Sequence, residues 1–179
     1  MDDQLISRFQ RGERTAFAKL VEHYQRPVIA YLGRLGLSAA EADELAQDAF
    51  FRVWKNAAEF DPRRASLPTW LFSIVHNLAV NALRRAHRRG HLPLDAAIDR
   101  ADESPGPDVM TELERRKHIL RNALRRLPVA DRSVLALSYF CELDHAAIAK
   151  IEACSEAAVK QRLYRARLVL RRLLESEHD

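Results

Sequence analysis

The stretch Trp70–Arg89, WLFSIVHNLAVNALRRAHRR, decides the reading of this chain. Wound as a helix at about 100° per residue, it puts Trp70, Ser73, Asn77, Asn81, Arg84 and Arg88 on one stripe. Leu71, Val75, Leu78 and Ala82 fall about a quarter-turn away and predict the buried face. An aromatic ring, a hydroxyl, two amides and two guanidinium groups in line suit a surface that meets nucleic acid. Arg neutralises phosphate, Asn reads base edges, and Trp offers a flat face to an unstacked base. The same stripe also fits a solvated helix face with a partly buried Trp, so the rest of the chain has to decide.

Outward from that helix, the 179 residues suffice for one ordinary domain or two small ones. A hydrophobic share of 47% allows real cores, and only five Gly beside abundant Ala, Leu, Arg and Glu favours helices. The formal charge of +4 is modest, but its distribution is not. Basic residues cluster at 84–89 and 160–172, acidic ones at 41–48 and 95–108, which predicts one anionic polymeric partner and another that is cationic or polar. Two cysteines, Cys141 and Cys154, make neither a disulfide framework nor a metal motif. The acidic Met1-Asp2-Asp3-Gln4 start is not that of a secretory signal, and no apolar run approaches a membrane span. A soluble cytoplasmic protein without membrane insertion is expected.

Periodicity predicts helices over about 2–11, 13–35 and 39–57 before the Trp70 helix. In the second, Phe17, Leu20, Val21, Tyr24, Val28, Tyr31 and Leu32 recur at helical spacing, Pro27 predicts a kink, and Gly33 and Gly36 close it. Ser38 with Glu41 forms a capping-box pattern for the third. On that helix Ala42, Leu45, Ala46, Ala49, Phe50 and Val53 make the core stripe, leaving Glu44, Gln47, Asp48 and Phe51 opposite. An exposed Phe among carboxylates and an amide is an odd solvent face and a reasonable protein interface. Phe60–Ser66 reads as a turn-rich basic loop. Residues 91–108, with three prolines and several acids, read as an extended acidic linker. The expected architecture is therefore all-α, with two small helical domains over 1–90 and 109–179 joined by a tether.

The second domain predicts a helix after Leu127-Pro128 whose Val134, Leu135, Leu137, Ser138 and Phe140 are largely buried. Asp144 caps a short helix His145–Ile151, a three-residue turn follows, and Ser155 caps a long basic helix to about Leu174. That is the helix-turn-helix plan, in which the start of the second helix enters the major groove. Val159, Leu163, Ala166 and Leu170 make its inward stripe. Ala157, Ala158, Lys160, Gln161, Tyr164 and Arg165 project outward, small residues permitting close approach and polar ones reaching phosphates or base edges. Ala153 holds the turn position where Gly relieves a left-handed backbone, and Glu152 stands where an apolar residue belongs.

Three segments in this order resemble a bacterial sigma factor of the extracytoplasmic-function group. Glu41–Trp54, EADELAQDAFFRVW, is similar to the family's polymerase-binding helix. Trp70–Asn77 followed by Arg84-Arg85 is similar to the segment that recognises and melts the minus-ten promoter element. Leu127-Pro128, Arg132, Ile148-Ala149 and Val159–Arg167 resemble the module that binds the minus-thirty-five element. The resemblance implies that Asp43, Glu44, Gln47, Asp48 and Phe51 dock on the clamp helices of the polymerase β′ subunit. It implies that Phe60, Arg63, Arg64, Trp70, Ser73, Asn77, Asn81, Arg84, Arg85 and Arg88 contact the opened minus-ten element, and that Ser155 and the outward residues of the last helix serve the minus-thirty-five duplex. Core RNA polymerase, including its β flap, promoter DNA and an anti-sigma factor are the implied partners, with no cofactor. The chain departs from the pattern at Asn81, where the family has Asp, at Ala146 and Ala147, where Glu is usual, and at Glu152 and Ala153; these bear on promoter preference.

A rival reading is a regulator that binds duplex DNA through 144–172 without polymerase. An enzyme is more distant. Asp43 faces away from Glu44 and Asp48, and His76, His87, His91, His118 and His145 lack ligand spacing, so neither a metal nor a catalytic site is expected.

Overall fold

A computed structural model describes residues 2–89 and 111–176. The linker expected over 91–108 lies outside the described residues. Eight α-helices occur among those described, without strands: α1 (Asp2–Gln10), α2 (Arg14–Arg34), α3 (Ala39–Asn56), α4 (Leu67–Arg88), α5 (Glu112–Arg125), α6 (Val129–Tyr139), α7 (His145–Ile151) and α8 (Glu156–Glu175).

The helix boundaries follow local chemistry. Ser38 and Thr111 each form a complete capping box, with Glu41 and Glu114 respectively, at the starts of α3 and α5. Ser66, Asp144 and Ser155 accept backbone N–H bonds at the starts of α4, α7 and α8. Pro68 stands in the first turn of α4, where its missing N–H costs nothing, and so the helix begins three residues before Trp70. Helix α2 continues on both sides of Pro27. It ends at Gly36, whose φ of +98° lets Gly36 N bond Gly33 O and Leu37 N bond Leu32 O. Gly33 belongs to the helix itself.

Helices α1–α4 bury Leu20, Val28, Leu32, Leu45, Phe50, Leu71, Phe72 and Val75 among others. All six core positions expected on α3 are buried. On α4, Leu71, Val75 and Leu78 are buried as expected, but Ala82 is only half-buried; Phe72, Ala79 and Leu83 widen the buried face instead. Helices α5–α8 close over Leu124, Leu127, Val134, Leu137, Ile148, Val159 and Leu163. Phe140, expected inside, is 45% exposed. Because α6 stops at Tyr139, Phe140 leaves the helical stripe, and its ring is met instead by the Arg34 guanidinium 3.5 Å from the centroid. Arg132 is a charged member of this core: one nitrogen donates to the Arg125 carbonyl at 3.2 Å, and burial pulls its pKa down to about 10.

The two four-helix halves pack on each other, α2 against α5 and α6, and α4 against α7. Their buried apolar residues form one contiguous cluster. This contact was not expected from a tethered pair, because a helical period sorts buried from exposed positions and does not say which distant helix covers them: Tyr31, on the apolar stripe of α2, meets Ser133 of α6.

Candidate polymerase and nucleic-acid interfaces

On the outer face of α3, Asp43, Glu44 and Gln47 are exposed and Asp48 is half-buried. Phe51 stands 55% exposed, with the Lys55 ammonium 4.5 Å from its ring centroid. Arg52 pairs with Asp48 one turn away at 3.3 Å, a solvated contact of small energetic weight. Trp54 is 40% exposed and was not singled out by sequence reasoning. Its ring packs against Phe9 in a tilted pair and Phe17 edge-on, centroids 4.6 and 4.9 Å away. The signal was available: Trp54 follows Phe51 by three residues, close enough to share a helix face.

The α4 stripe is present as predicted. Asn77, Asn81, Arg84, Arg85 and Arg88 are exposed. Trp70 and Ser73 are half-buried, and the Ser73 hydroxyl donates to the Trp70 carbonyl at 2.6 Å. Phe60 is buried with its ring 5.2 Å from that of Trp70, so it backs the indole rather than facing outward. Gln10 fixes this corner by donating to the carbonyls of Ala57 and Phe60 at 2.7 and 3.0 Å. In the loop, Arg63 donates twice from its guanidinium to Asp61, which holds that carboxyl below its usual range, while Arg64 is exposed.

On α8, Val159, Leu163 and Ala166 are buried and Leu170 is half-buried, as the inward stripe requires. Ala157, Lys160, Gln161 and Tyr164 are exposed and Ala158 is half-buried. Ser155 spends its hydroxyl on the cap. Arg165 is exposed but engaged: its guanidinium donates at 2.6 and 3.1 Å to the two oxygens of buried Asp131. The helix-turn-helix turn carries Ala153 at φ +51°, the left-handed conformation expected there.

Glu152 is the residue sequence reasoning noticed and could not place. Its side chain is 5% exposed and lies at the joint of the two halves, 3.7 Å from His76 Nδ1 and 3.1 Å from Arg162 Nη1. Among the described residues no group of three or more His, Cys, Asp or Glu could hold a metal ion, and no helix is long and apolar enough to cross a membrane.

An all-helical chain with an acidic, aromatic face on one half and a helix-turn-helix in the other has the build of a transcription-initiation protein. The comparisons agree. Sigma-70 region 2 matches residues 20–89, and Sigma-70, region 4 matches residues 117–170. The ECF RNA polymerase sigma factor RpoE of Cereibacter sphaeroides is 34% identical over 161 residues, covering 90% of this chain and 86% of that protein. The ECF sigma factor SigW of Bacillus subtilis is 30% identical over 178 residues, with 94% of each chain covered. Among solved structures, CnrH in complex with the cytosolic domain of CnrY superposes with a TM-score of 0.71 at 25% identity, covering 98% and 97% of the two chains. The Bartonella quintana sigma factor RpoE, crystallised with the anti-sigma factor NepR, shares the fold at 0.72 and 23% identity, covering 89% and 96%.

The chain belongs to the ECF group of RNA polymerase sigma factors. It is a sigma factor that directs RNA polymerase to promoters. The region 2 match over residues 20–89 sets aside the rival regulator that binds duplex DNA without polymerase. Its relatives are regulatory proteins, not catalysts.

Proposed function

We propose that the outer face of α3 docks on the β′ clamp helices, with Phe51 as the anchor and Asp43, Glu44, Gln47 and Asp48 as its polar rim. The stripe on α4, with Trp70 backed by Phe60 and with Arg63 and Arg64 from the loop, receives the non-template strand of the minus-ten element. Unstacking a base costs a few kcal/mol, which stacking and phosphate contacts offset. The start of α8 reads the minus-thirty-five duplex. The boundaries 1–90 and 109–179 divide these tasks, and 91–108 is the tether threading the polymerase between them. The protein performs no catalysis of its own and works in the cytoplasm, where core polymerase is.

The observation that carries this assignment is the exposure of Phe51 among carboxylates on a helix whose other face is fully committed to the core. A large apolar group kept in solvent by a well-packed helix is most economically explained by a partner. CnrH and the Bartonella quintana protein are each held by a partner, CnrY and NepR. The exposed surfaces of the present chain suit control by an anti-sigma factor in the same way.

Run-off transcription with bacterial core polymerase over a library of upstream sequences tests the reading. Protein-dependent transcripts sharing two spaced upstream elements are expected, and Phe51→Ala should lose them while the duplex-binding half stays folded. Transcripts unaffected by Phe51→Ala would overturn the docking assignment.

A further inference from the structure

The joint between the halves is polar at its centre. The Tyr31 hydroxyl lies 2.8 Å from Ser133 Oγ and 2.9 Å from His76 Nδ1, and Ser133 Oγ is 3.3 Å from the same nitrogen. Ser133 donates to the Glu152 carboxylate, which Arg162 also holds. Tyr31 and His76 come from α2 and α4; Ser133, Glu152 and Arg162 come from α6, the end of α7 and α8. Tyr31 and Ser133 are fully buried, and the His76 side chain is 12% exposed. One arrangement lets each hydroxyl both donate and accept: His76 Nδ1–H to Tyr31, Tyr31 to Ser133, Ser133 to Glu152. The chain of donors thus ends on a carboxylate whose charge Arg162 balances. At the rim, Lys150 Nζ donates to the Arg64 carbonyl in the basic loop at 3.1 Å.

We propose that this Tyr31–His76–Ser133–Glu152 cluster is an interdomain latch, which holds the free chain closed and must part before the promoter can be read. The need to part rests on the promoter-binding reading above. Two elements named for positions ten and thirty-five are separated by about 25 base pairs, or about 85 Å of duplex. A compact chain of this length has a radius of gyration of only about 16 Å, so halves in contact cannot reach both. The closed form therefore reduces the apparent affinity for polymerase and promoter by the fraction of chains that are open.

The latch is built to release. Buried ion pairs and hydrogen-bond networks are close to neutral overall against their solvated state, whereas breaking one from a single side is costly. On opening, Glu152 keeps Arg162 within its own half and gains water, so no charge is stranded. A cleft of about 240 Å³ lined by Val80, Leu83, Arg84, Val129, Ala130 and Arg162 already reaches the cluster and gives water its entry. An all-apolar joint would have no such exchange of partners.

Small-angle X-ray scattering of the free 179-residue chain tests the proposal without requiring polymerase or DNA. The wild type should scatter with a radius of gyration near the compact value of about 16 Å, and Tyr31→Phe and Glu152→Ala should each raise it by at least about a fifth with helix content retained. Tyr31→Phe keeps the core ring and leaves α7 and α8 untouched, so it decides the matter should Glu152→Ala lose helix. An extended wild type, or a Tyr31→Phe chain as compact as the wild type, would overturn the latch. Failure of run-off transcription would sink the promoter-binding reading and leave the scattering result standing.

Discussion

The outer face of α3 and the joint at α4 and α7 hold similar side chains, carboxylates beside aromatic rings, and use them in opposite ways. On α3 the carboxylates of Asp43 and Glu44 are exposed, and Phe51 is left in solvent. At the joint, the Glu152 carboxylate is buried and met by Ser133, His76 and Arg162. A group the fold itself satisfies is part of what holds the molecule together. A group the fold supports but leaves unsatisfied is offered to something else. This distinction, more than residue type, separates structural from functional positions in this chain.

The largest expected effect follows at the joint. Glu152→Ala takes from Ser133 its carboxylate acceptor and from the partly exposed Arg162 its partner, a loss of up to about 3 kcal/mol for buried hydrogen-bonding groups left short of a partner. Urea unfolding of the full chain should register that fall, shared between opening of the halves and weakening of α7 and α8. A change within about 0.5 kcal/mol, the ordinary surface value, would move Glu152 to the class of α3's acids. Phe51→Ala comes next and should behave in reverse. Core-polymerase affinity should fall about 30-fold, equivalent to about 2 kcal/mol for an interface anchor, with the urea midpoint unchanged. Equal losses in folding and binding would erase the contrast between the two regions.

The sequence made one of these regions readable and concealed the other. The α3 face was legible because a period of 3.6 sorts its residues into six buried and the remainder outside, and Phe51 falls on the wrong side of that division. Likewise the α4 stripe and the helix-turn-helix needed only local spacing and caps. Local spacing does not bring Tyr31 to Ser133, 102 positions apart, or His76 to within 3.7 Å of Glu152. What remained visible was the misfit of Glu152 itself, an acid at an apolar position, without a hint of what would meet it. Phe140 was misplaced for a related reason: a helical period says where a face points, but not where the helix stops.

The α8 surface contains both behaviours side by side, which sharpens the comparison. Lys160 is exposed, whereas Arg165 is committed to buried Asp131 and its guanidinium is held the more firmly charged for it. Lys160→Ala should reduce the slope of log affinity against log salt for promoter duplex by about 1 with no change in folding. Arg165→Ala should instead destabilise the second half by stranding Asp131. Matching salt slopes and matching stabilities for the two variants would show that the ion pair does not distinguish them.

Acid should act on the joint and spare α3. His76 is held below its ordinary value of 6.5, chiefly by burial. Glu152 opposes that shift, Arg162 and Arg84 add to it, and the burial-raised Tyr31 stays neutral. The open chain, with an ordinary imidazole, takes up a proton as pH falls through 6.5, where the closed chain does not. Closure is therefore at full strength above that pH and weakens below it. Scattering at pH 8 and pH 5.5, about 1 unit or more either side of the imidazole's ordinary value, should show expansion on the acid side. A chain equally compact at both would remove His76 from the latch.

The smallest effect lies one residue beyond Glu152. Helices α1, α2 and α7 end with the same pair of backbone bonds, closing at Gly12, Gly36 and Ala153, each at positive φ. Two of the three turns use the residue without a Cβ, and the third places a methyl group in the left-handed region at a cost of about 1 kcal/mol or more. Ala153→Gly removes that strain but loosens the unfolded chain, so the net gain should be about 0.5–1 kcal/mol. The backbone of Glu152 is helical at the cap and its side chain leaves toward the joint just before this turn, so the turn fixes the direction from which the carboxylate reaches Ser133. If the strain is only local, Ala153→Gly raises the thermal midpoint and leaves scattering unchanged. If the midpoint rises while the chain expands, then the stiffness of alanine at this corner is what aims Glu152, and the joint depends on a residue that touches none of its polar atoms.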